Sequence, residues 1–386
     1  MRVVTRNLRE ALQENTDLEI SVVSSLEREQ IYLHLSRFAK HIIKKNVYLY
    51  ELDPLLNASM LKLINSINKR RNVDIIHLFF ANHPLFALYG KILKKPVVVQ
   101  HFGNPHFNLL KSTRIPKGID AYITTSSETG YFDELDIKNI HKIKPPIDTN
   151  TFKKMDKIKA RRHFGLSEDD FLILYMGGLN EIKVPLEFLR TIKDLLRGRR
   201  KILIMGRGEC DYAQKIQQLA KKESIDMNVM VRTESLNEEQ KALIYNAADV
   251  LILPFSEEMG LYKHVAVIDP PITMLEAMSC GIPIIAPGIL SIPDIIKDGY
   301  NGFTTPPGDF KLLGERISDL IANEDMGIRI GENARKTILN EFSYEKVAFK
   351  MEEVYEDILN GYTNVKRRRT CHCGHYKSGK EREQIA

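Results

Sequence analysis

The sequence predicts an α/β protein built from two doubly wound parallel sheets. Three observations carry this expectation. At 386 residues the chain is too long for one typical core and divides into two domains. Short apolar runs such as Phe171–Met176 and Lys201–Met205 lead straight into glycine turns and then into helical segments. No apolar run approaches the roughly 18 residues that signal a transmembrane helix, and the opening residues lack a signal-peptide core.

Composition narrows the class further. Hydrophobic content of 43% and charged content of 27% are ordinary for a soluble globular protein, so function must be sought in motifs. Cys210, Cys280, Cys371 and Cys373 are too few and too scattered for a disulfide framework, which favours a reducing cytoplasm. The net charge of +6 suits acidic ligands or a weak hold on anionic lipid headgroups.

The stretch from Asp269 to Pro287 organises the rest. It reads as a helix followed directly by a buried strand. Asp269 is a good N-cap, and prolines are tolerated in a first turn whose N–H groups lack partners. Gly281 ends the helix, Pro283 blocks its continuation, and Ile282, Ile284 and Ile285 form a short apolar run. Glu276 lies in the first half of this helix, whose free N–H groups and dipole attract an anion such as a diphosphate. A carboxylate there can accept two hydrogen bonds from a vicinal diol. Taken alone, Glu276 equally reads as a charge complementing the helix dipole.

The segment Thr273-Met-Leu-Glu276-Ala-Met-Ser-Cys-Gly281-Ile-Pro-Ile-Ile-Ala resembles the donor-site helix of GT-B glycosyltransferases, specifically the retaining family 4. The similarity runs from about Asp74 to about Leu359. It implies two Rossmann-like domains facing a central cleft, with the second binding a UDP- or GDP-linked sugar. It further implies transfer to an acceptor hydroxyl of a glycan or lipid-linked molecule, with no bound metal or cofactor. In the family the glutamate matching Glu276 holds the ribose hydroxyls.

The N-terminal half begins with Arg2–Gln13, an amphipathic helix bearing Val3, Val4, Leu8, Ala11 and Leu12 on one face. Glu19–Ser24 then reads as a strand. Doubly wound domains begin with a central strand and a Gly-rich turn, so the first strand is expected to be missing here. An internal start or a natural truncation would account for that. Leu55–Asn72 reads as a helix, Val73–Phe80 as a strand, Pro84–Leu93 as a helix and Pro96–Gln100 as a strand. That last strand delivers His101 at its carboxyl end, where ligands of open α/β sheets bind. His101 resembles the family's active-site histidine beside the transferred sugar; alone it equally reads as a structural histidine. Asp120–Ser127 and Asn139–Pro145 are further strands, and residues 146–168 read as the interdomain linker.

In the C-terminal half, Phe171–Met176 runs into Gly177, Gly178 and then Lys183. Glycines there let backbone N–H groups approach a phosphate, and the lysine supplies a point charge. The resemblance assigns Lys183 to the donor diphosphate, while Gly178 stands where the family usually has an arginine. Lys201–Met205 leads to Gly206, Arg207 and Gly208, and Arg207 is a candidate substitute for that arginine. Asn228–Arg232 and Asp249–Pro254 are the following strands, with a helix at Leu243–Ala248 between them.

The largest departure precedes the donor helix. Ile268 stands where the family sets its first glutamate, and the stretch from Pro254 to Glu276 is roughly twice the family's length. This insertion holds Glu257, Glu258, Lys263 and His264. Asp269, Glu257 or Glu258 is expected to replace the missing carboxylate near the sugar, although Asp269 also reads as an N-cap alone. Asp309 is expected to cap the next helix, and Ile328–Glu341 to form another.

The resulting partition is residues 1–150 as the acceptor-side domain, 168–342 as the donor domain, 343–362 as a helix crossing back, and 363–386 as a flexible basic tail. The tail's Lys366–Arg369 run suits a peripheral membrane contact at the inner face. No aromatic-and-basic patch supports nucleic-acid binding. A non-catalytic GT-B-like protein is the main rival reading, favoured by Gly178 and Ile268.

Overall fold

The computed structural model describes residues 2–16, 74–79, 94–101, 119–125, 139–206, 210–256 and 269–374. The chain opens on α1 (Arg2–Asn15), whose apolar stripe buries Leu8, Ala11 and Leu12. The first sheet comprises β1 (Ile76–Phe79), β2 (Val97–His101), β3 (Ala121–Thr124) and β4 (Ile140–Lys142), parallel and in that spatial order. Val97, Val98 and Val99 are all buried, as expected for a parallel strand covered on both faces. The expected strand Glu19–Ser24 and the expected helices Leu55–Asn72 and Pro84–Leu93 lie outside the described residues.

After α2 (Lys157–His163), the second unit alternates strand and helix. Its strands are β5 (Phe171–Met176), β6 (Arg200–Met205), β7 (Val229–Arg232), β8 (Val250–Ile252), β9 (Ile284–Pro287) and β10 (Phe303–Thr305). Between them run α3 (Leu186–Ile192), α4 (Cys210–Lys222), α5 (Glu238–Ala247), α6 (Ile272–Ser279) and α7 (Ile292–Ile295); α8 (Phe310–Ala322), α9 (Glu324–Glu341) and α10 (Tyr344–Gly374) follow. The strands form one six-stranded parallel sheet in the order β10-β9-β8-β5-β6-β7. The chain winds outward from β5 to β7, returns at β8, and winds the other way. The switch point therefore lies between β5 and β8, where an open α/β sheet leaves a crevice at its strand carboxyl ends.

Local chemistry sets the helix starts. Asn237 accepts from the Gln240 N–H while the Gln240 side chain reciprocates, a capping box that opens α5. Asp309 accepts from the Leu312 N–H at 3.0 Å and caps α8. Asp269 does not cap α6. The N-cap is Pro271, which makes no side-chain cap bond, and the Asp269 carboxylate turns instead toward Ser291.

The chain crosses between the sheets side by side with its own return. The Ile147 N–H donates to the Phe342 carbonyl at 2.8 Å, and Ile147 pairs with Ser343 in a parallel bridge. Helix α10 then lies back on the first unit. Val347, Ala348, Met351, Val354 and Ile358 form one stripe of helical spacing, packed with Leu8, Ala11 and Leu12 and with Val98, Ala121 and Ile123. Burying each large side chain contributes about 1.5–3 kcal/mol. The helix continues to Gly374, so residues 363–374 are helical where the sequence reads as a flexible tail. Among the described residues no helix is long and apolar enough to cross a membrane.

Candidate functional site

The switch point gathers several of the sequence-predicted residues. Gly177 follows β5, and its N–H donates to the Met205 carbonyl at 3.0 Å. Gly206 follows β6 and lies against Gly177 so closely that only a hydrogen fits on its α-carbon. The Gly178 carbonyl accepts from the Tyr175 hydroxyl at 2.7 Å, which pins the turn to its own strand. Beyond the turn, the Lys183 N–H donates to Asn180 Oδ1 at 3.0 Å. The Ser256 N–H donates to the Ile182 carbonyl at 2.8 Å, joining the segments that follow β8 and β5 across the crevice.

Lys183 is half-buried, and burial lowers its ammonium pKa from the usual lysine range. Among the described residues its ammonium has no anionic partner. A desolvated, unpaired cation beyond a glycine turn at a switch point is a place for an anion.

Glu276 sits in α6 as expected, but its environment was not legible. It is 1% exposed, flanked by the buried Met274, Leu275, Ala277 and Met278. Its Oε1 accepts from Lys241 Nζ at 2.9 Å and its Oε2 from the Tyr245 hydroxyl at 2.7 Å. Both partners lie on one face of α5. They also touch the interdomain linker: Lys241 lies 5.6 Å from the Phe152 ring centroid, and the Phe152 and Tyr245 rings are 6.1 Å apart. Burial, then the Glu276 charge, drives the Tyr245 hydroxyl well above its ordinary pKa, so it stays a donor. Lys241 and Tyr245 were missed because nothing in the sequence ties positions on α5 to a carboxylate on α6.

Asp269 is also 1% exposed. Its Oδ1 accepts from the Ser291 hydroxyl at 2.6 Å, and its carboxylate accepts from the Ser291 N–H at 3.2 Å. Its carbonyl accepts from the Thr125 hydroxyl, just past β3, so this residue links the two units. The Asp269 carboxylate thus anchors the start of α7 through Ser291.

His101 ends β2 with its backbone paired to Thr124. Its side chain, and Arg207, Glu257, Glu258, Lys263 and His264, lie outside the described residues.

Comparison with known proteins agrees with this architecture. The family model described as Glycosyl transferases group 1 matches residues 156–337, from the N-cap of α2 through most of α9. N-acetyl-alpha-D-glucosaminyl L-malate synthase of Bacillus anthracis is 24% identical over 344 residues, covering 84% of this chain and 86% of that protein. A D-inositol 3-phosphate glycosyltransferase of Mycobacteroides abscessus is 26% identical over 191 residues, 48% of this chain and 40% of that protein's length. The crystal structure of Anabaena HepE in complex with UDP superposes with a TM-score of 0.65 at 18% identity, covering 80% of this chain and 84% of that one. Residues 156–337 therefore match the glycosyl transferases group 1 model, and they are carried on a GT-B architecture of two parallel sheets.

Proposed function

We propose that this protein transfers a sugar from a nucleoside-diphosphate sugar to an acceptor hydroxyl of a glycan or lipid-linked molecule, with retention at the anomeric carbon. The observation that carries the reading is Lys183, a half-buried ammonium without an anionic partner among the described residues, placed beyond the Gly177–Gly178 turn at the switch point. In this role Lys183 stabilises the departing diphosphate, whose negative charge grows in the transition state. Glu276 orients the ribose, His101 faces the sugar, and the donor is a substrate, with no resident metal or cofactor. HepE, the structural neighbour, has been crystallised with UDP, which supports a nucleotide donor without fixing its base here.

Calorimetric titration with UDP, GDP and their common sugars tests this. Micromolar binding that Lys183→Ala and Glu276→Ala each weaken about tenfold or more would support the donor site. A folded chain that binds neither nucleotide would overturn it. A second reading, a nucleotide-binding relative that transfers nothing, is favoured by Ile268 in place of an acid. Nucleotide binding without sugar release or transfer would support that alternative.

A further inference from the structure

We infer that Thr125 is a positioning residue for the donor site: through the Asp269 carbonyl it ties the end of β3 to the start of α6, so that a nucleotide bound on the second unit steadies the first sheet. This rests on the proposed donor role of α6 and adds a residue of the opposite unit to it. The bond from the Thr125 hydroxyl to the Asp269 carbonyl joins positions 144 apart in sequence. Both lie beyond strand carboxyl ends, Thr125 just past β3 and Asp269 in the connection from β8 to α6. Asp269 is not a loose acceptor. It is 1% exposed, and its carboxylate accepts from the Ser291 hydroxyl at 2.6 Å and from the Ser291 N–H at the start of α7. Two residues on, the Pro271 carbonyl accepts from the Met274 N–H at 3.1 Å and opens the first turn of α6. A shift of the β3 end relative to α6 must therefore break the Thr125 bond or carry the anchored Asp269 segment with it.

Other bonds also join the two units. Arg6 pairs with Glu238, Asn7 Nδ2 donates to the Pro146 carbonyl at 3.2 Å, and Lys144 pairs with Glu341. These start from α1 and from the run into the linker, whereas Thr125 starts from the end of a sheet strand. A nucleotide that orders α6 through Glu276 lowers the entropic cost of holding Asp269 still, and so strengthens the Thr125 bond. Linkage makes this reciprocal: the bond strengthens nucleotide binding by the same factor. The net worth of one ordinary hydrogen bond sets that factor at about fivefold.

The test combines calorimetric affinity for UDP and GDP with hydrogen exchange of the β3 amides, with and without nucleotide, on the full chain. In the wild type, nucleotide should slow exchange in β3. Thr125→Val should remove that slowing and weaken nucleotide binding about fivefold. Thr125→Ser, which keeps the hydroxyl, should restore both. Ser291→Ala releases Asp269 from the other side, so its loss of affinity should be non-additive with that of Thr125→Val. Additive losses would mean that Thr125 acts on the nucleotide without Asp269, and would overturn the proposal. So would a Thr125→Val chain with unaltered affinity whose β3 exchange changes equally with and without nucleotide, the mark of a purely structural contact. A wild type that binds nucleotide with no response in β3 would overturn the coupling without any variant and leave the donor reading intact. Absence of nucleotide binding by the folded wild type would overturn both.

Discussion

A β-carbon placed on Gly206 would stand 1.6 Å from the carbonyl oxygen of Gly177. The two residues end adjacent strands and carry the turns where the switch-point crevice opens. The obstructing atom is backbone, so no side-chain rotation relieves it. Gly206→Ala should therefore cost about 3 kcal/mol or more, above the usual range for overpacking because the strands themselves must part. Thermal denaturation reads the loss; an unchanged Tm would contradict the close approach.

Lys183 makes two opposite predictions. Its folded pKa lies below the unfolded value because burial disfavours the charge. Between those two values the unfolded chain binds more protons, so this group's contribution to stability rises with pH in that window. Below it the charged form is a net cost. Lys183→Met should thus raise Tm at neutral pH while weakening UDP or GDP binding. In the wild type, nucleotide affinity should decline on the alkaline side sooner than in Lys183→Arg, measured by calorimetry from pH 7 to pH 10.

Asp249 gathers three donors of the second unit. Its Oδ2 accepts from Arg161 Nη2 at 2.6 Å and from the Leu172 N–H at 2.6 Å, and Lys157 pairs with the other oxygen. Arg161 is 4% exposed, so removing the carboxylate strands a buried guanidinium. Asp249→Ala should lose about 3–5 kcal/mol in urea denaturation. Lys157→Ala, which removes only a partly exposed partner, should lose under about 1 kcal/mol.

Asp269 and Ser291 should behave as one unit. If the carboxylate serves the fold through Ser291, then Asp269→Ala and Ser291→Ala will be non-additive in a double-mutant cycle of stability, with coupling of about 1 kcal/mol or more. Additive losses, together with transfer activity abolished only by Asp269→Ala, would return the carboxylate to the sugar.

Much of the second unit was legible because a parallel sheet writes itself as apolar runs. Phe171–Met176 is a strand to the residue, and the runs around Val97, Val250 and Ile284 fall within a few residues of their expected limits. The positions of Glu276 and Lys183 in the fold, on a helix and beyond a turn, were legible for a different reason: each follows a punctuation mark, a strand–glycine turn or a helix start. What failed was spatial. Asp269 has the chemistry of an N-cap, yet its side chain finds Ser291, a partner 22 positions on, because α7 begins beside the turn that precedes α6. Lys241 and Tyr245 lie on a helix whose rotation about its axis decides what they touch, and apolar periodicity fixes that rotation only toward the core. The long α10 runs past its expected end at residue 362 because a basic run reads as a solvated tail in sequence yet is compatible with helix; Gly361 within it costs only about 1 kcal/mol relative to alanine.

The path of α10 also bears on how the protein is made. Val98, Ala121 and Ile123 share their buried cluster with Val347, Met351 and Ile358, residues translated only after the entire second sheet. At ~5–20 residues per second, the ribosome leaves that apolar face without this cover for on the order of ten to forty seconds. The second sheet, by contrast, has its core complete once α9 emerges. The half synthesised first is therefore the half finished last, and it is the nascent first sheet that a chaperone would meet.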